Sequence, residues 1–128
     1  MSPITWLFNR KAEVLEGRRC AGCRKRLTKP ATPSLMAERK LCLGCSLAYC
    51  DSCALKLVKG ELRPGFVVKN WLYRHPTFGS GMAEFSRNVF VCKCGGPVIG
   101  EFNEIVFHKQ GGKPVPVNSN EIMSIVRS

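Results

Sequence analysis

Hydrophobic positions near the start of the chain follow the period of a helix. Apolar residues recur there at spacings of three and four, at Ile4, Leu7, Phe8, Ala12 and Leu15. Ser2 and Pro3 precede this run and Gly17 follows it, as is typical of a helix start and a helix end. The pattern predicts an amphipathic helix over residues 3–16 whose apolar face packs on the core.

The rest of the chain alternates short apolar runs with glycine- and proline-rich turns. Residues 54–59 predict a short helix, and residues 66–68 predict a strand. The apolar residues on either side of Gly95 and Gly96 predict a β-hairpin around a tight turn. Asn118, with Glu121 three residues later, resembles a capping box and predicts a last short helix.

A chain of 128 residues is expected to form one domain of the α+β class. We expect an N-terminal helix over 1–17, a cysteine-rich domain over 18–110 with an insertion at 54–91, and a C-terminal loop with a short helix over 111–128. The sequence has no long apolar run and no signal-peptide pattern at its start. It is therefore expected in a reducing compartment, the cytoplasm or the nucleus.

Eight cysteines dominate the candidate chemistry. They form three CxxC pairs and one CxC pair, namely Cys20, Cys23, Cys42, Cys45, Cys50, Cys53, Cys92 and Cys94. Two thiolates on one tight turn point at a single tetrahedral zinc ion, so four pairs predict two closed four-cysteine sites. A disulfide framework and an iron–sulfur cluster are disfavoured by the predicted compartment and by the spacing. The prediction is a small α+β zinc-stabilised domain with two Zn²⁺ ions in structural, non-catalytic sites.

The order of the pairs resembles the cross-brace zinc fingers of the FYVE, RING and B-box group. Two CxxC pairs lie four residues apart, with an aromatic residue just before the fifth cysteine, and a distant pair follows. The resemblance implies a treble-clef-like fold in which the first and third pairs hold one zinc ion. The second and fourth pairs would then hold the other.

The same block also resembles the in-between-RING module, and this likeness implies a different grouping. There the first two pairs would share one site and the last two pairs the other. A FYVE-type phosphoinositide site is disfavoured because its paired histidines are missing, although Arg39 and Lys40 offer contacts for a phosphate. The histidines His75 and His108 lie outside any ligand spacing, whereas a RING would use one as a ligand.

The chain is strongly basic, with 20 Lys and Arg against 9 Asp and Glu and a formal charge of +11. Eight thiolates and two zinc ions would reduce this to about +7, which still favours a polyanionic partner. The densest basic cluster brackets the first CxxC pair: Arg18, Arg19, Arg24, Lys25, Arg26 and Lys29. Guanidinium groups on a rigid turn are well suited to phosphate.

These features predict a non-enzymatic zinc-binding module that binds nucleic acid, preferably RNA or a ribonucleoprotein. The basic cluster would contact phosphates, and Trp71, Tyr73 and Arg74 would stack on bases. No basic recognition helix is visible, which disfavours sequence-specific binding in the major groove of a duplex. No hydrolase motif is visible either, which disfavours catalysis and a small-molecule substrate. The alternatives are a protein-interaction adaptor related to ubiquitin ligation and, last, a phosphoinositide or anionic membrane binder.

Overall fold

The computed structural model describes residues 13–28, 39–70, 74–75, 79–80, 85–109, 111–118 and 120–126, with the backbone only at 74–75, 79–80 and 85. Residues 13–15 are helical, and Gly17 follows with a φ of 72°, as expected where a helix ends. The remainder of the predicted helix over 3–16 lies outside the described residues.

Strands supply most of the regular structure in the described part of the chain. In order they are β1 Lys40–Cys42, β2 Ala48–Tyr49, β3 Val58–Glu61, β4 Phe66–Asn70, β5 Arg74–His75, β6 Gly79–Ser80, β7 Phe85–Ser86, β8 Asn88–Val91, β9 Pro97–Gly100, β10 Asn103–Phe107 and β11 Val115–Pro116. Two short helices join them, α1 Asp51–Ala54 and α2 Ile122–Ile125. The strands and short helices agree with the α+β class expected from the sequence.

The strands pair antiparallel in two main sheets within the described residues. One sheet has the order β2-β1-β9-β8-β3 and the other β11-β10-β4-β7, and β5 pairs with β6. The register of the first sheet sets Leu41 opposite Ile99 and Cys42 opposite Val98. This long-range pairing brings the second CxxC pair beside the predicted hairpin, which is confirmed as β8–β9.

The buried core divides into a part without cysteines and a part built on them. The first part gathers aliphatic residues from both sheets and from α2: Leu62, Val68, Val89, Ile99, Ile105, Val117, Ile122 and Ile125. Two further clusters contain Cys20, Cys42 and Cys92 among their buried members. Cysteines are therefore buried members of two of the three core clusters among the described residues.

Two local predictions have different outcomes. The strand expected at 66–68 is confirmed as part of β4, but the helix expected at 54–59 is wrong. The helix lies earlier, at Asp51–Ala54, where Cys50 is the N-cap and its sulfur accepts the N–H of Cys53. The β-branched Val58 then opens β3, which pairs with β8.

The C-terminal segment is anchored to the main core. Ile122 and Ile125 of α2 are buried there, which confirms the predicted last helix. Asn118 Oδ1 accepts the N–H of Glu121 at 3.1 Å, but the predicted capping box is wrong, because the N-cap is Glu121 and it makes no side-chain capping hydrogen bond. No helix among the described residues is long and apolar enough to cross a bilayer.

Candidate metal centres

The eight cysteines gather in two groups of four. Site 1 contains Cys20, Cys23, Cys50 and Cys53, and site 2 contains Cys42, Cys45, Cys92 and Cys94. Within each group all sulfur atoms lie within 4.8 Å of one another. The first pair is thus grouped with the third and the second with the fourth, not sequentially as in the in-between-RING alternative.

The sulfur–sulfur distances fit tetrahedral metal coordination. Cys23 and Cys50 are 3.8 Å apart in site 1, and in site 2 Cys45 lies 3.7 Å from Cys92. A tetrahedron with metal–sulfur bonds of about 2.3 Å has edges of about 3.8 Å. A disulfide bond is only about 2.05 Å long, and the eight cysteines are free thiols. The donor set and its dimensions therefore suit one divalent ion per site.

A tight turn over residues 20–25 presents the first pair. The N–H of Cys20 donates to the carbonyl of Lys25 at 2.8 Å, and the N–H of Arg24 donates back to the carbonyl of Cys20 at 2.9 Å. Arg24 has a φ of 65°, which closes the turn in the left-handed region. The backbone is thereby folded so that both sulfurs of the pair face the same point.

The second pair lies on a turn of the same design, residues 42–47. Cys42 donates its N–H to the carbonyl of Leu47 at 2.9 Å, and Ser46 donates to the carbonyl of Cys42 at 3.0 Å. Ser46 has the same φ of 65° as its counterpart in the first turn. The two CxxC pairs are therefore structural repeats, which we call knuckle 1 (residues 20–25) and knuckle 2 (residues 42–47).

The CxC pair forms a shorter knuckle between β8 and β9, knuckle 3 (residues 92–96). Cys92 donates its N–H to Gly96 and accepts from Gly95, both at 2.9 Å, and Gly95 has a φ of 89°. The remaining pair differs, since Cys50 and Cys53 lie at the start of α1. Site 1 thus combines knuckle 1 with a helix start, whereas site 2 combines knuckles 2 and 3.

Two glycines leave space that the sulfur atoms require. A Cβ atom at Gly22 would lie 2.8 Å from Cys53 Sγ, and one at Gly96 would lie 2.8 Å from Cys42 Sγ. Real Cβ atoms essentially never approach a heavy atom so closely. Each glycine therefore leaves room for a sulfur atom of the opposite ligand pair. The sequence had indicated only a turn role for Gly96 and no role for Gly22.

Hydrogen bonds favour the thiolate form of one cysteine in each site. Burial opposes ionisation of Cys20, but backbone N–H groups, above all that of Cys50, outweigh it and lower its pKa to about 6. Burial also opposes ionisation of Cys92, yet the N–H of Cys94 and the Tyr49 hydroxyl lower its pKa to about 7. Each site therefore contains a sulfur whose thiolate form is favoured by its hydrogen-bond donors.

Three other sulfurs, those of Cys42, Cys45 and Cys53, have raised pKa values. Burial is the main factor that raises the pKa of Cys42 and Cys45, and a side-chain hydrogen bond with Cys50 raises the pKa of Cys53 to about 12. Several thiolates cannot remain close together without a cation to balance them. The geometry is thus that of a site whose full deprotonation accompanies metal binding.

The basic cluster predicted from the sequence lies beside site 1 and is exposed. All five described members are solvent-exposed: Arg18, Arg19, Arg24, Lys25 and Arg26. Arg18 Nη2 donates to the carbonyl of Ser46 at 2.8 Å and so links knuckle 1 to knuckle 2. Arg19 Nη1 donates to the carbonyl of Arg24 at 3.2 Å. Lys29, Trp71 and Tyr73 lie outside the described residues, as does the side chain of Arg74.

Two basic residues that the sequence offered as phosphate contacts are buried instead. Arg39 is only 3% exposed and its Nη2 lies 2.7 Å from a carboxylate oxygen of Glu101, while Lys40 Nζ lies 3.4 Å from Asp51. Their charges are neutralised within the fold, so the expectation that they meet a phosphate is wrong. Among the described residues, His108 belongs to neither cysteine group, and the side chain of His75 lies outside the described part of the chain.

The chain matches no protein-family model, no curated protein and no solved structure. Its likeness to cross-brace zinc fingers therefore rests on the order and grouping of its cysteines. Inference about function begins from these two sites and the charged surface beside them.

Proposed function

We propose that this protein is a non-enzymatic, cross-brace-like zinc module that binds RNA or a ribonucleoprotein through knuckle 1. The observation that carries the proposal is a tight turn, beside a group of four cysteines, that presents exposed cations with no acidic partner among the described residues. Arg24, Lys25 and Arg26 form neither ion pairs nor side-chain hydrogen bonds in the part of the chain that the structure describes.

Zinc is the ion that best suits the donor set. Four thiolates in a tetrahedral arrangement select zinc over oxygen-seeking cations such as magnesium and calcium. Free thiols are maintained in a reducing compartment, which supports a cytoplasmic or nuclear location. With four protein ligands, a zinc ion has no open position for water or substrate. Both sites are therefore proposed to support the fold without catalysis.

The positive charge around site 1 exceeds the negative charge that the zinc-loaded site would carry. A zinc ion with four thiolates carries a net charge of −2. The five exposed cations beside it supply more positive charge than this. Arg18 and Arg19 also stabilise the knuckles through their bonds to backbone carbonyls, which leaves Arg24, Lys25 and Arg26 for an external anion. Three consecutive cations, two on knuckle 1 and one directly after it, favour the closely spaced phosphates of a nucleic acid.

The test is binding of a fluorescent single-stranded RNA and its duplex at several salt concentrations. For single strands, each phosphate neutralised contributes roughly 0.7 to the slope of log affinity against log salt. Replacing Arg24, Lys25 and Arg26 by Gln should weaken binding and lower this slope by about 2. Replacing the exposed Lys109 and Lys113 by Gln provides the matched control and should change the slope less. Absence of RNA retention at low salt, or equal effects of both variants, would contradict the proposal.

A protein-interaction adaptor is the second candidate, because apolar side chains are exposed on either side of the turn after α1. Leu55 is 62% exposed and Val58 71% exposed. If the protein is an interaction adaptor, changing both residues to Ser should abolish its binding to a ubiquitin-conjugating enzyme. The same variant should bind RNA as the wild type does if the basic face carries the function.

A further inference from the structure

Tyr49 occupies a special place between the two cysteine groups. It ends β2, directly after Ala48, and its peptide bond leads to Cys50 of site 1. Its side chain is only 6% exposed, and its hydroxyl oxygen lies 3.2 Å from Cys92 Sγ of site 2. One buried residue therefore contacts a ligand of one site and is covalently joined to a ligand of the other.

The hydrogen bond has a defined direction when a metal is bound. A sulfur that coordinates a cation is a thiolate and only accepts, so the phenolic O–H is the donor. Such a bond to a charged acceptor is stronger than a neutral one, and in a buried position no water replaces it. The hydroxyl thus withdraws charge from Cys92 Sγ and fixes its direction.

Among the described residues, the two sites differ in the groups that donate hydrogen bonds to their sulfur atoms. In site 1 backbone N–H groups donate to sulfur, including Gly22 and Cys50 to Cys20 Sγ, both at 3.3 Å. In site 2, backbone groups donate to Cys42 and Cys94 at 3.4 and 3.3 Å, and Cys92 has the Tyr49 hydroxyl as a side-chain donor in addition to the N–H of Cys94. A backbone donor is fixed once the knuckle folds, whereas the hydroxyl depends on where β2 holds the tyrosine ring.

We propose that Tyr49 is a positioning residue for the metal of site 2 and that it couples the loading of the two sites. This inference rests on the metal binding proposed above and is independent of nucleic-acid binding. Metal at site 1 fixes the backbone of Cys50 and hence the adjoining tyrosine. The placed hydroxyl, 3.2 Å from Cys92 Sγ, then holds this sulfur in its coordinating direction, so that site 2 fills more readily. Residues that orient metal ligands in this way typically change affinity by about 10- to 100-fold when removed.

The decisive variant is Tyr49→Phe, which removes the hydroxyl and keeps the ring. Tyr73→Phe makes the same chemical change at the chain's other tyrosine and is the matched control. Cadmium-113 NMR gives one resonance per site, assigned through coupling to the cysteine β-protons. Tyr49→Phe should move the site 2 resonance, leave that of site 1 in place and weaken site 2 by about 10- to 100-fold. At half saturation, native mass spectrometry should then show a larger fraction of protein with one metal ion for Tyr49→Phe than for the wild type.

Unchanged site 2 affinity in Tyr49→Phe, or an equal loss at both sites, would overturn the proposal. If this variant does not fold, wild-type protein labelled with 3-fluorotyrosine gives a second measurement. Its Tyr49 fluorine resonance should shift when zinc is exchanged for cadmium, and an unmoved resonance would also overturn the proposal. Wild-type protein that binds no metal would instead refute the zinc module itself, so the two failures are distinguishable.

Discussion

Substitution of Gly96 by alanine is the sharpest steric test of site 2. The added methyl group would lie 2.8 Å from Cys42 Sγ and 3.0 Å from both N and Cα of Gly44. The ordinary contact distance begins near 3.4 Å, so knuckles 2 and 3 must separate by several tenths of an ångström. Metal–sulfur distances tolerate a departure of only about 0.2 Å.

The cost can be estimated from the crowding that the methyl group causes. Overpacking in a well-packed site costs about 1–3 kcal/mol. Since about 1.4 kcal/mol corresponds to a factor of ten, metal affinity at site 2 should fall roughly 5- to 150-fold. Titration with Co²⁺ measures this loss, because the absorption of the cobalt–thiolate centre reports both occupancy and geometry. We expect the contribution of site 2, about half of the total absorption, to change its spectrum or to appear only at higher cobalt concentration. The contribution of site 1 should be unaffected.

The neighbouring glycine separates steric crowding from backbone strain. Gly95 has a φ of 89°, but a Cβ there would meet no atom within 4 Å. Gly95→Ala should therefore lower the free energy of unfolding by about 1–2 kcal/mol without changing the cobalt spectrum. Gly22→Ala should produce the complementary defect in site 1. Wild-type affinity and spectrum in Gly96→Ala would refute the reasoning.

Three further predictions concern the whole domain. Chelation of both ions should abolish most of the circular dichroism signal, because each structural zinc contributes on the order of 10 kcal/mol, and an unchanged spectrum would contradict this. Glu101→Ala should lower the free energy of unfolding in urea by about 3–5 kcal/mol, because it removes the buried partner of Arg39 and leaves only the exposed Glu16, 3.8 Å away; the double variant with Arg39→Met should recover part of this loss. Burial raises the pKa of Cys42 and Cys45, so both are protonated at neutral pH without metal. Loading should therefore release protons and strengthen as pH rises, which calorimetry in buffers of different ionisation enthalpy measures as proton release.

The metal-ligand candidates were accessible from the sequence because their chemistry is local. A CxxC or CxC pair places two sulfurs on one turn whatever the rest of the chain does. The grouping of pairs was not local, and the residues alone left two arrangements open. The structure selects one because β1 pairs with β9, which brings Cys42 beside knuckle 3. Such pairing between distant strands leaves no signal in the spacing.

Other differences have equally specific causes. The helix was predicted too late in the chain, at 54–59, because its N-cap is a cysteine, Cys50, and not one of the usual capping residues. Arg39 resembled a surface cation in sequence, but its partner Glu101 is 62 positions away. The aromatic residue before the fifth cysteine was noticeable, yet only the folded chain shows its hydroxyl against Cys92.

The interleaved grouping has a consequence for how the chain matures during synthesis. Site 1 possesses all its ligands once Cys53 has left the ribosome, whereas site 2 must wait for Cys94. During that interval Cys42 and Cys45 are held beside a completed centre while their partners are still untranslated. During this period the two free thiols of the nascent polypeptide can bind a wrong metal ion or form a disulfide with a wrong cysteine. If site 1 fills promptly, only the Cys42–Cys45 pair is open to such reactions.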